Sequence, residues 1–260
     1  MILCIFAAVK FRSDIFLLKA SQRVIAKTLI ITAILIYCGP AFGKAKVTLT
    51  AYLPKAEECR PMTAVIICPG GSYFWLDTEG EGTEVAQWLN SEGIAAFVLN
   101  YHVAGKFTFG TDFRFLWGGC TFPAVLNDTQ TALLQVREHA DETGIDPENI
   151  GLMGFSAGGH LAMLTEELGE EKPDFVACIY PVVTLSDKRC VHKRSRRGLL
   201  GAKQTNRILR DSLSLEKHVP ESCCPVFLVG CLDDNTVNPL NFTLLDSSLT
   251  AGHIRHESHI

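Results

Sequence analysis

The feature that most constrains the fold of this chain is a serine flanked by glycines where a predicted strand meets a predicted helix. The motif is Gly154-Phe155-Ser156-Ala157-Gly158, a GxSxG that follows the strand predicted at 149–153 and directly precedes a helical pattern. Such a tight turn needs small flanking residues and lifts the serine hydroxyl above the sheet edge, beside a helix N-terminus that favours negative charge. Ser156 is therefore predicted to be a nucleophile, with an ordinary turn as the alternative.

Strand and helix patterns alternate along the chain around this motif. The continuous apolar run 64–68 predicts a strand buried on both faces, whereas the alternating run 47–53 predicts an edge strand. Residues 102–121 have no clear period and are predicted to form a loop. Such alternation predicts an α/β fold, a mostly parallel sheet with helices on both faces, in one domain over residues 44–260. The other predicted strands are 94–101, 175–183, 225–230 and the chain from 254, and the other predicted helices are 83–91, 128–140 and 239–249.

A glycine pair follows the strand predicted at 64–68. Gly70 and Gly71 allow the backbone to approach a substrate closely, and an amide from either could face the oxyanion that forms during acyl transfer. With the amide of Ala157 they would form an oxyanion hole, which contributes about 3–4 kcal/mol to transition-state stabilisation. A simple Pro-Gly turn is the alternative.

An acidic pair follows the strand predicted at 225–230. A carboxylate at this position could orient a catalytic histidine and stabilise its charged form. Asp234 is preferred because it stands three residues before Val237, and Asp233 is the second choice. Helix capping by this Asp and Asn cluster is the alternative.

In this order, the motifs resemble the bacterial carbohydrate-esterase branch of the α/β hydrolases, which has acetyl xylan and feruloyl esterase members. The resemblance implies the α/β-hydrolase fold, a Ser-Asp-His triad in that chain order, an acyl-enzyme, no cofactor, and ester substrates that are often acetyl groups on plant polysaccharides. Two positions depart from the pattern: Pro69 stands where relatives in the wider lipase group keep a histidine, and Gly230-Cys231 replaces the usual His-Gly. The matching segments are 68–73, 144–147, 151–160, 180–182 and 234–237.

The histidine of that triad has no clear counterpart. It would lie on the loop after the last strand, and that strand is predicted to begin near Ile254, while the sequence ends at Ile260. His256 and His259 fall inside the strand, and His160 lies in the first turns of the helix after Ser156, where packing or capping is the preferred interpretation. The chain is therefore expected to stop before its catalytic histidine and to be nearly inactive as an esterase by itself.

The N-terminal segment 1–43 is predicted to be an export signal, with an overextended start as the alternative for its first residues. Arg23 and Lys27 precede the apolar run 28–38, and small residues end it, so cleavage is expected after Gly43. The run has 11 residues, well short of the ~20 that span a bilayer, so no stable membrane insertion is expected. Removing 1–43 takes away five basic and one acidic residue, leaving 24 − 5 = 19 against 28 − 1 = 27, a charge of −8. An acidic, soluble, periplasmic or secreted protein is expected.

Composition and cysteine spacing indicate which kinds of binding partner and metal site to expect. The whole-chain charge of −4 gives no electrostatic reason to expect nucleic acid. No disulfide pairing follows from the sequence, and Cys68, Cys178 and Cys231 are expected to be small core residues. Cys223 and Cys224 are adjacent and no CxxC pair exists, so no structural metal is predicted. The basic run 188–197 is predicted to be a solvated lid. The alternative is a functional role, in which its positive charges attract an acidic substrate such as a glycan decorated with uronic acids.

The leading hypothesis is a serine carboxylic-ester hydrolase that removes acetyl or feruloyl groups from decorated polysaccharides or oligosaccharides. A peptidase related to the prolyl oligopeptidases would share the GxSxG turn, but such enzymes usually carry a large extra domain for which this chain has no room. A catalytically incomplete hydrolase-like protein is the remaining alternative. The sequence does not indicate an oligomeric state.

Overall fold

Eight strands form one sheet in the computed structural model, which describes residues 34–35, 47–54, 61–105 and 122–260. The strands are β1 (Ile34–Leu35), β2 (Thr48–Tyr52), β3 (Met62–Cys68), β4 (Ala95–Asn100), β5 (Ile145–Phe155), β6 (Val176–Ile179), β7 (Val226–Val229) and β8 (His256–His259). They lie in the order β1-β2-β4-β3-β5-β6-β7-β8. The pairings of β1 with β2 and of β2 with β4 are antiparallel, and all others are parallel.

Helices cover both faces of this sheet, as the sequence predicted. They are α1 (Glu84–Ser91), α2 (Ala124–Glu138), α3 (Ala140–Thr143), α4 (Ala157–Leu168), α5 (Lys193–Leu200), α6 (Arg207–Ser212) and α7 (Leu240–Ala251). Successive residues of β3 enter different apolar clusters: Ile66 belongs to the cluster that includes residues of α2, α4 and α7, whereas Ile67 belongs to the cluster that includes residues of α1. Both faces of the central strands are therefore buried, which explains their continuous apolar sequence.

Several element boundaries differ from the prediction for local reasons. The strand predicted at 175–183 ends at Ile179, because Tyr180 adopts a left-handed φ of 37° and Pro181 follows it. β5 begins at Ile145 rather than 149, since Ile145 pairs with Met62 before a register shift. The predicted lid 188–197 is a loop only in its first half, because α5 begins at Lys193. Residues 106–121 of the predicted loop lie outside the described residues.

Of the three cysteines predicted to be core residues, two are buried and the one after β7 is not. Cys68 and Cys178 are buried in strands, as expected. Cys231 is exposed, so its assignment to the core was wrong: β7 ends at Val229, which leaves Cys231 on the loop beyond it. In the described part of the chain, no helix is both long and apolar enough to cross a membrane.

Candidate active site

Ser156 occupies a strained turn between β5 and α4. Its φ of 52° and ψ of −114° lie outside the regions that L-residues prefer. The turn is held by backbone hydrogen bonds from Ser156 N to Ile179 O and from Val182 N to Ser156 O, both 3.0 Å long. A Cβ at Gly154 would lie 2.1 Å from Gly158 O, so the flanking glycines are needed for contact between the strand and the helix. This geometry matches the serine turn expected from the sequence.

The loop after β3, residues 68–73, lies directly against this turn and is called the oxyanion loop below. A Cβ on Gly70 would stand 3.2 Å from Ser156 Cβ, so the Gly70 backbone touches the serine. Gly71 has a φ of 136° and a Cβ there would overlap Trp75 O at 2.0 Å, which restricts this position to glycine. The Tyr101 hydroxyl donates to Pro69 O at 2.6 Å and anchors the loop to the end of β4.

A carboxylate outside the sequence motifs also holds the oxyanion loop. Gly70 N donates to Glu81 Oε2 at 2.6 Å, and the Tyr180 hydroxyl donates to Glu81 Oε1 at 2.8 Å. Burial raises the pKa of Glu81, while both hydrogen bonds lower it. Sequence reasoning missed Glu81 and Tyr180 because the contact joins two loops that follow different strands. The available signal for Tyr180 was its place in the matching segment 180–182, and Glu81 carried no such signal.

The predicted oxyanion donors therefore differ in availability. The amide of Gly70 is already bound by Glu81. Within the described residues, the amides of Gly71 and Ala157 have no hydrogen-bond acceptor. Ala157 is the first residue of α4, where amides are left unpaired by the helix itself.

Asp234 lies on the loop after β7, at the same carboxyl edge of the sheet as Ser156. Its Oδ1 accepts hydrogen bonds from Thr236 N at 2.7 Å and from Val237 N at 2.9 Å, which fix the carboxylate by its own loop. Asp233 is exposed, and its Oδ1 accepts from Cys231 Sγ. Asp234 is thus the better ordered of the two acids. No hydrogen bond joins it to a histidine or to Ser156 in the described chain.

His160, the histidine nearest to Ser156 in the sequence, is fully buried and has both ring nitrogens occupied. Nε2 lies 2.9 Å from Leu213 O and must donate to that carbonyl, so Nδ1 accepts from the Tyr73 hydroxyl at 2.8 Å. Burial lowers the pKa of His160 to about 4. A histidine in this state is neutral and has no free lone pair for a serine proton, in keeping with the expected packing role.

Two other histidines lie near carboxylates. His102 Nδ1 is 2.8 Å from Asp128 Oδ2, and the same oxygen accepts the backbone N–H of His102. His192 Nδ1 is 2.7 Å from Ser195 Oγ; burial and Arg194 lower the pKa of His192, and Asp234 opposes that shift. All eight histidines are described, and none has a ring nitrogen hydrogen-bonded to Ser156 Oγ; the backbone N–H of His160 donates to Ser156 O at 3.2 Å as part of the first turn of α4.

The basic helix α5 packs on the oxyanion loop. Arg194 Nε donates to Ser72 Oγ at 3.0 Å, and its guanidinium lies 5.5 Å from the Trp75 ring centroid. Arg197 lies 5.0 Å over the Phe74 ring. These cations therefore contribute to loop packing as well as to surface charge.

A parallel sheet with a strained serine between β5 and α4, a glycine loop after β3 and an acid after β7 defines an α/β hydrolase with a nucleophile elbow. The BD-FAE family model matches residues 49–249, and the chain belongs to that family. The resemblance inferred from the sequence motifs is confirmed.

Individual relatives agree with this assignment. The chain is 35% identical over 161 residues to an acetylxylan esterase of Xylanibacter ruminicola, covering 61% of this chain and 29% of the relative. It is 31% identical over 214 residues to endo-1,4-beta-xylanase B of Butyrivibrio fibrisolvens, covering 77% of this chain and 31% of the relative. The chain thus spans about a third of the length of these curated relatives.

Solved structures share the fold. An acetyl ester-xyloside bifunctional hydrolase from Caldicellulosiruptor lactoaceticus superposes with a TM-score of 0.71 at 31% identity, over 83% of this chain and 77% of that one. A carboxylesterase from Lactobacillus plantarum gives a TM-score of 0.70 at 19% identity, over 88% of this chain and 82% of that one. The second likeness concerns the fold alone.

Proposed function

We propose that the protein is a serine carboxylic-ester hydrolase with Ser156 as its nucleophile. The observation that carries the proposal is the backbone of Ser156, held at a φ of 52° against Gly70. Strain of this kind persists only where the surrounding structure enforces it, and it concentrates at functional sites.

The chemistry follows from this placement. Ser156 Oγ attacks the acyl carbon, its proton passes to a general base, and the tetrahedral oxyanion accepts hydrogen bonds from the amides of Gly71 and Ala157. Collapse expels the alcohol and leaves an acyl-serine, which water then hydrolyses. Gly70 could join as a donor only if its amide left Glu81. Asp234 would orient the basic histidine and stabilise its charged form.

We propose further that none of the eight histidines is that base. His160 has no free nitrogen. His102 is bound by Asp128, and His192 bonds to Ser195 in its own helical turn. Losing the histidine in a comparable serine hydrolase costs about a millionfold in turnover. A polypeptide of these 260 residues is therefore expected to turn over esters very slowly.

For the substrate, we propose acetyl or feruloyl esters on decorated polysaccharides or oligosaccharides. Support comes from the acetylxylan esterase at 35% identity and the acetyl ester-xyloside hydrolase at 31% identity. We also propose that the protein is exported with loss of residues 1–43, from the order of basic, apolar and small residues at its N-terminus.

The natural gene product is expected to react with a fluorophosphonate probe at Ser156. Peptide mass spectrometry should place the label there, and Ser156→Ala should abolish it. His102→Gln and His192→Gln are matched variants that should keep the label. Labelling that survives Ser156→Ala would disprove the nucleophile, and loss of labelling in a correctly folded His102→Gln or His192→Gln variant would make that histidine the base.

A further inference from the structure

A cluster of thiols and carboxylates lies at the far end of α4 from the active site. A carboxylate oxygen of Glu166 and the Sγ atoms of Cys223 and Cys224 all lie within 4.8 Å of one another. Glu166 is in the last turns of α4, ten residues after Ser156, which is about 15 Å along the helix axis. The cluster is therefore separate from the esterase site.

Glu166 is a buried carboxylate with an unused oxygen. Its side chain is 1% exposed, and Oε1 accepts the backbone N–H of Cys224 at 3.2 Å and lies 3.7 Å from Lys172 Nζ. Oε2 is shielded from solvent and has no hydrogen-bond partner in the described structure. Buried polar atoms are nearly always paired, so an orphaned carboxylate oxygen needs an explanation such as a bound ion.

The surroundings of the cluster are rich in acidic groups. Both carboxylate oxygens of Glu167 are shielded from solvent without a partner among the described residues. Carboxylates buried without partners cost free energy, and a multivalent cation beside Glu166 and Glu167 would offset that cost.

We propose that Glu166, Cys223 and Cys224 bind a zinc-type divalent cation. Two thiolates with a carboxylate are ligands that Zn²⁺ accepts, and soft thiolates select against Mg²⁺ and Ca²⁺. Zn–S bonds of about 2.3 Å and Zn–O bonds of about 2.0–2.2 Å are compatible with three ligand atoms that lie within 4.8 Å of one another. Water or Glu167 would supply the fourth position.

Binding displaces the protons of both thiols into solvent, along with that of Glu166 where its carboxyl is protonated. The ion would tie the end of α4 to the segment that leads into β7. Sequence spacing predicted no structural metal, because the adjacent cysteines offered only two ligands. The fold brings the third ligand from 57 and 58 residues away in the chain.

The test titrates the reduced, metal-free full chain with Zn²⁺ and, separately, with Co²⁺. One ion per chain and a cobalt–thiolate charge-transfer band are expected. Both should be lost in the Cys223→Ser/Cys224→Ser double variant. Glu166→Gln should bind about 10- to 100-fold more weakly. Cys231→Ser removes an exposed thiol outside the cluster and is the matched control, with unchanged binding expected.

Lys172→Met is a variant that is expected to bind the metal ion more tightly than the wild-type chain. Removing the cation beside Glu166 should tighten binding, and partial unfolding cannot produce tighter binding. Absence of stoichiometric binding by the wild-type chain would overturn the proposal. Undiminished binding by the double variant, or loss of binding in Cys231→Ser, would also overturn it, because the ion would then be held elsewhere.

Discussion

Glu81 is the residue on which the geometry of the oxyanion loop depends most directly. It is half-buried, and each of its oxygens accepts one hydrogen bond, from Gly70 N and from the Tyr180 hydroxyl. The carboxylate thereby joins the loop after β3 to the loop after β6. It fixes the peptide that precedes the proposed Gly71 donor.

In the natural gene product, Glu81→Gln is expected to lower kcat for a small acetyl ester by about tenfold or more and to leave KM nearly unchanged. An amide replaces one of the two acceptor oxygens with a donor, so the Tyr180 hydroxyl must turn to accept, and the bond from Gly70 N loses its charged acceptor and weakens. Loss of a whole oxyanion donor costs about 10²–10³ in kcat, which sets the upper limit. Glu79→Gln, an exposed change in the same turn, is the control. Steady-state kinetics that show an unchanged kcat for Glu81→Gln would contradict this role.

His160 links the oxyanion loop to the segment before β7 and makes the fold sensitive to acid. Its native pKa is about 4 because of burial, against 6.5 for an exposed histidine. The unfolded chain therefore binds more protons between these values. The stabilisation is complete above pH 6.5 and is lost as the pH falls toward 4, amounting to about 3 kcal/mol.

The pH dependence of urea unfolding checks this expectation. The free energy of unfolding should fall less steeply between pH 6.5 and 4 in His160→Gln than in the wild-type chain, although the variant starts from lower stability. His139→Gln replaces an exposed histidine and should keep the wild-type slope. Equal slopes for wild type and His160→Gln would contradict the burial argument.

At the level of elements, the nucleophile elbow can form because β5 and α4 meet without side chains between them. A Cβ at Gly158 would lie 1.9 Å from Cys68 O, which is backbone of the neighbouring strand and cannot move aside. The same packing brings the N-terminus of α4 to the oxyanion loop. The position of Ser156, the proposed nucleophile, and the stability of the sheet therefore depend on one contact.

Gly158→Ala is expected to destabilise the protein by at least about 3 kcal/mol, above the usual range for overpacking, because backbone rather than side chain is overlapped. Gly93→Ala is the matched control: its φ is 77° and no atom lies within 4 Å of an added Cβ. That change should cost only about 1–2 kcal/mol of left-handed strain. Denaturant unfolding measures the loss of unfolding free energy in both variants. Similar losses in the two would contradict the prediction, because they would show that the backbone around Gly158 moves to accommodate the added Cβ.

For the whole molecule, the proposed export signal and the sheet meet at β1. Among the described strands, β1 pairs with β2 alone, by residues Ile34 and Leu35. Removal of residues 1–43 would take away this edge strand and leave the seven strands β2 to β8, which hold the serine, the oxyanion loop and Asp234. The proposed cleavage is therefore compatible with an intact catalytic sheet.

Protein recovered from the periplasm or medium is expected to begin near Lys44. Intact-mass analysis measures the loss of residues 1–43 directly. A chain with Arg23 and Lys27 exchanged for glutamine should be exported less efficiently, because the basic region is part of the signal. Recovery from the cytosol alone, with residues 28–43 still attached, would contradict export.

The sequence by itself determined the fold class, the GxSxG elbow and the order of the motifs. These features depend on local patterns: apolar runs fix buried strands, and glycines fix tight turns whatever lies around them. It offered Asp234 as the preferred acid and Asp233 as the second choice, but only the structure shows that Asp234 is fixed by the amides of its own loop. It misplaced Cys231, because the exact end of a short strand depends on its neighbours in the sheet.

Tertiary structure alone decided the long-range contacts. Glu81 reaches Gly70 and Tyr180, His160 is buried with its ring nitrogens bonded to Tyr73 and Leu213, and Glu166 meets the cysteine pair from more than fifty residues away. No local sequence pattern predicts these contacts. They form when loops after different strands converge on one sheet edge, or when the end of a helix packs on a distant segment. Burial, and with it the direction of each pKa shift, follows from the same packing and so could not be taken from the sequence.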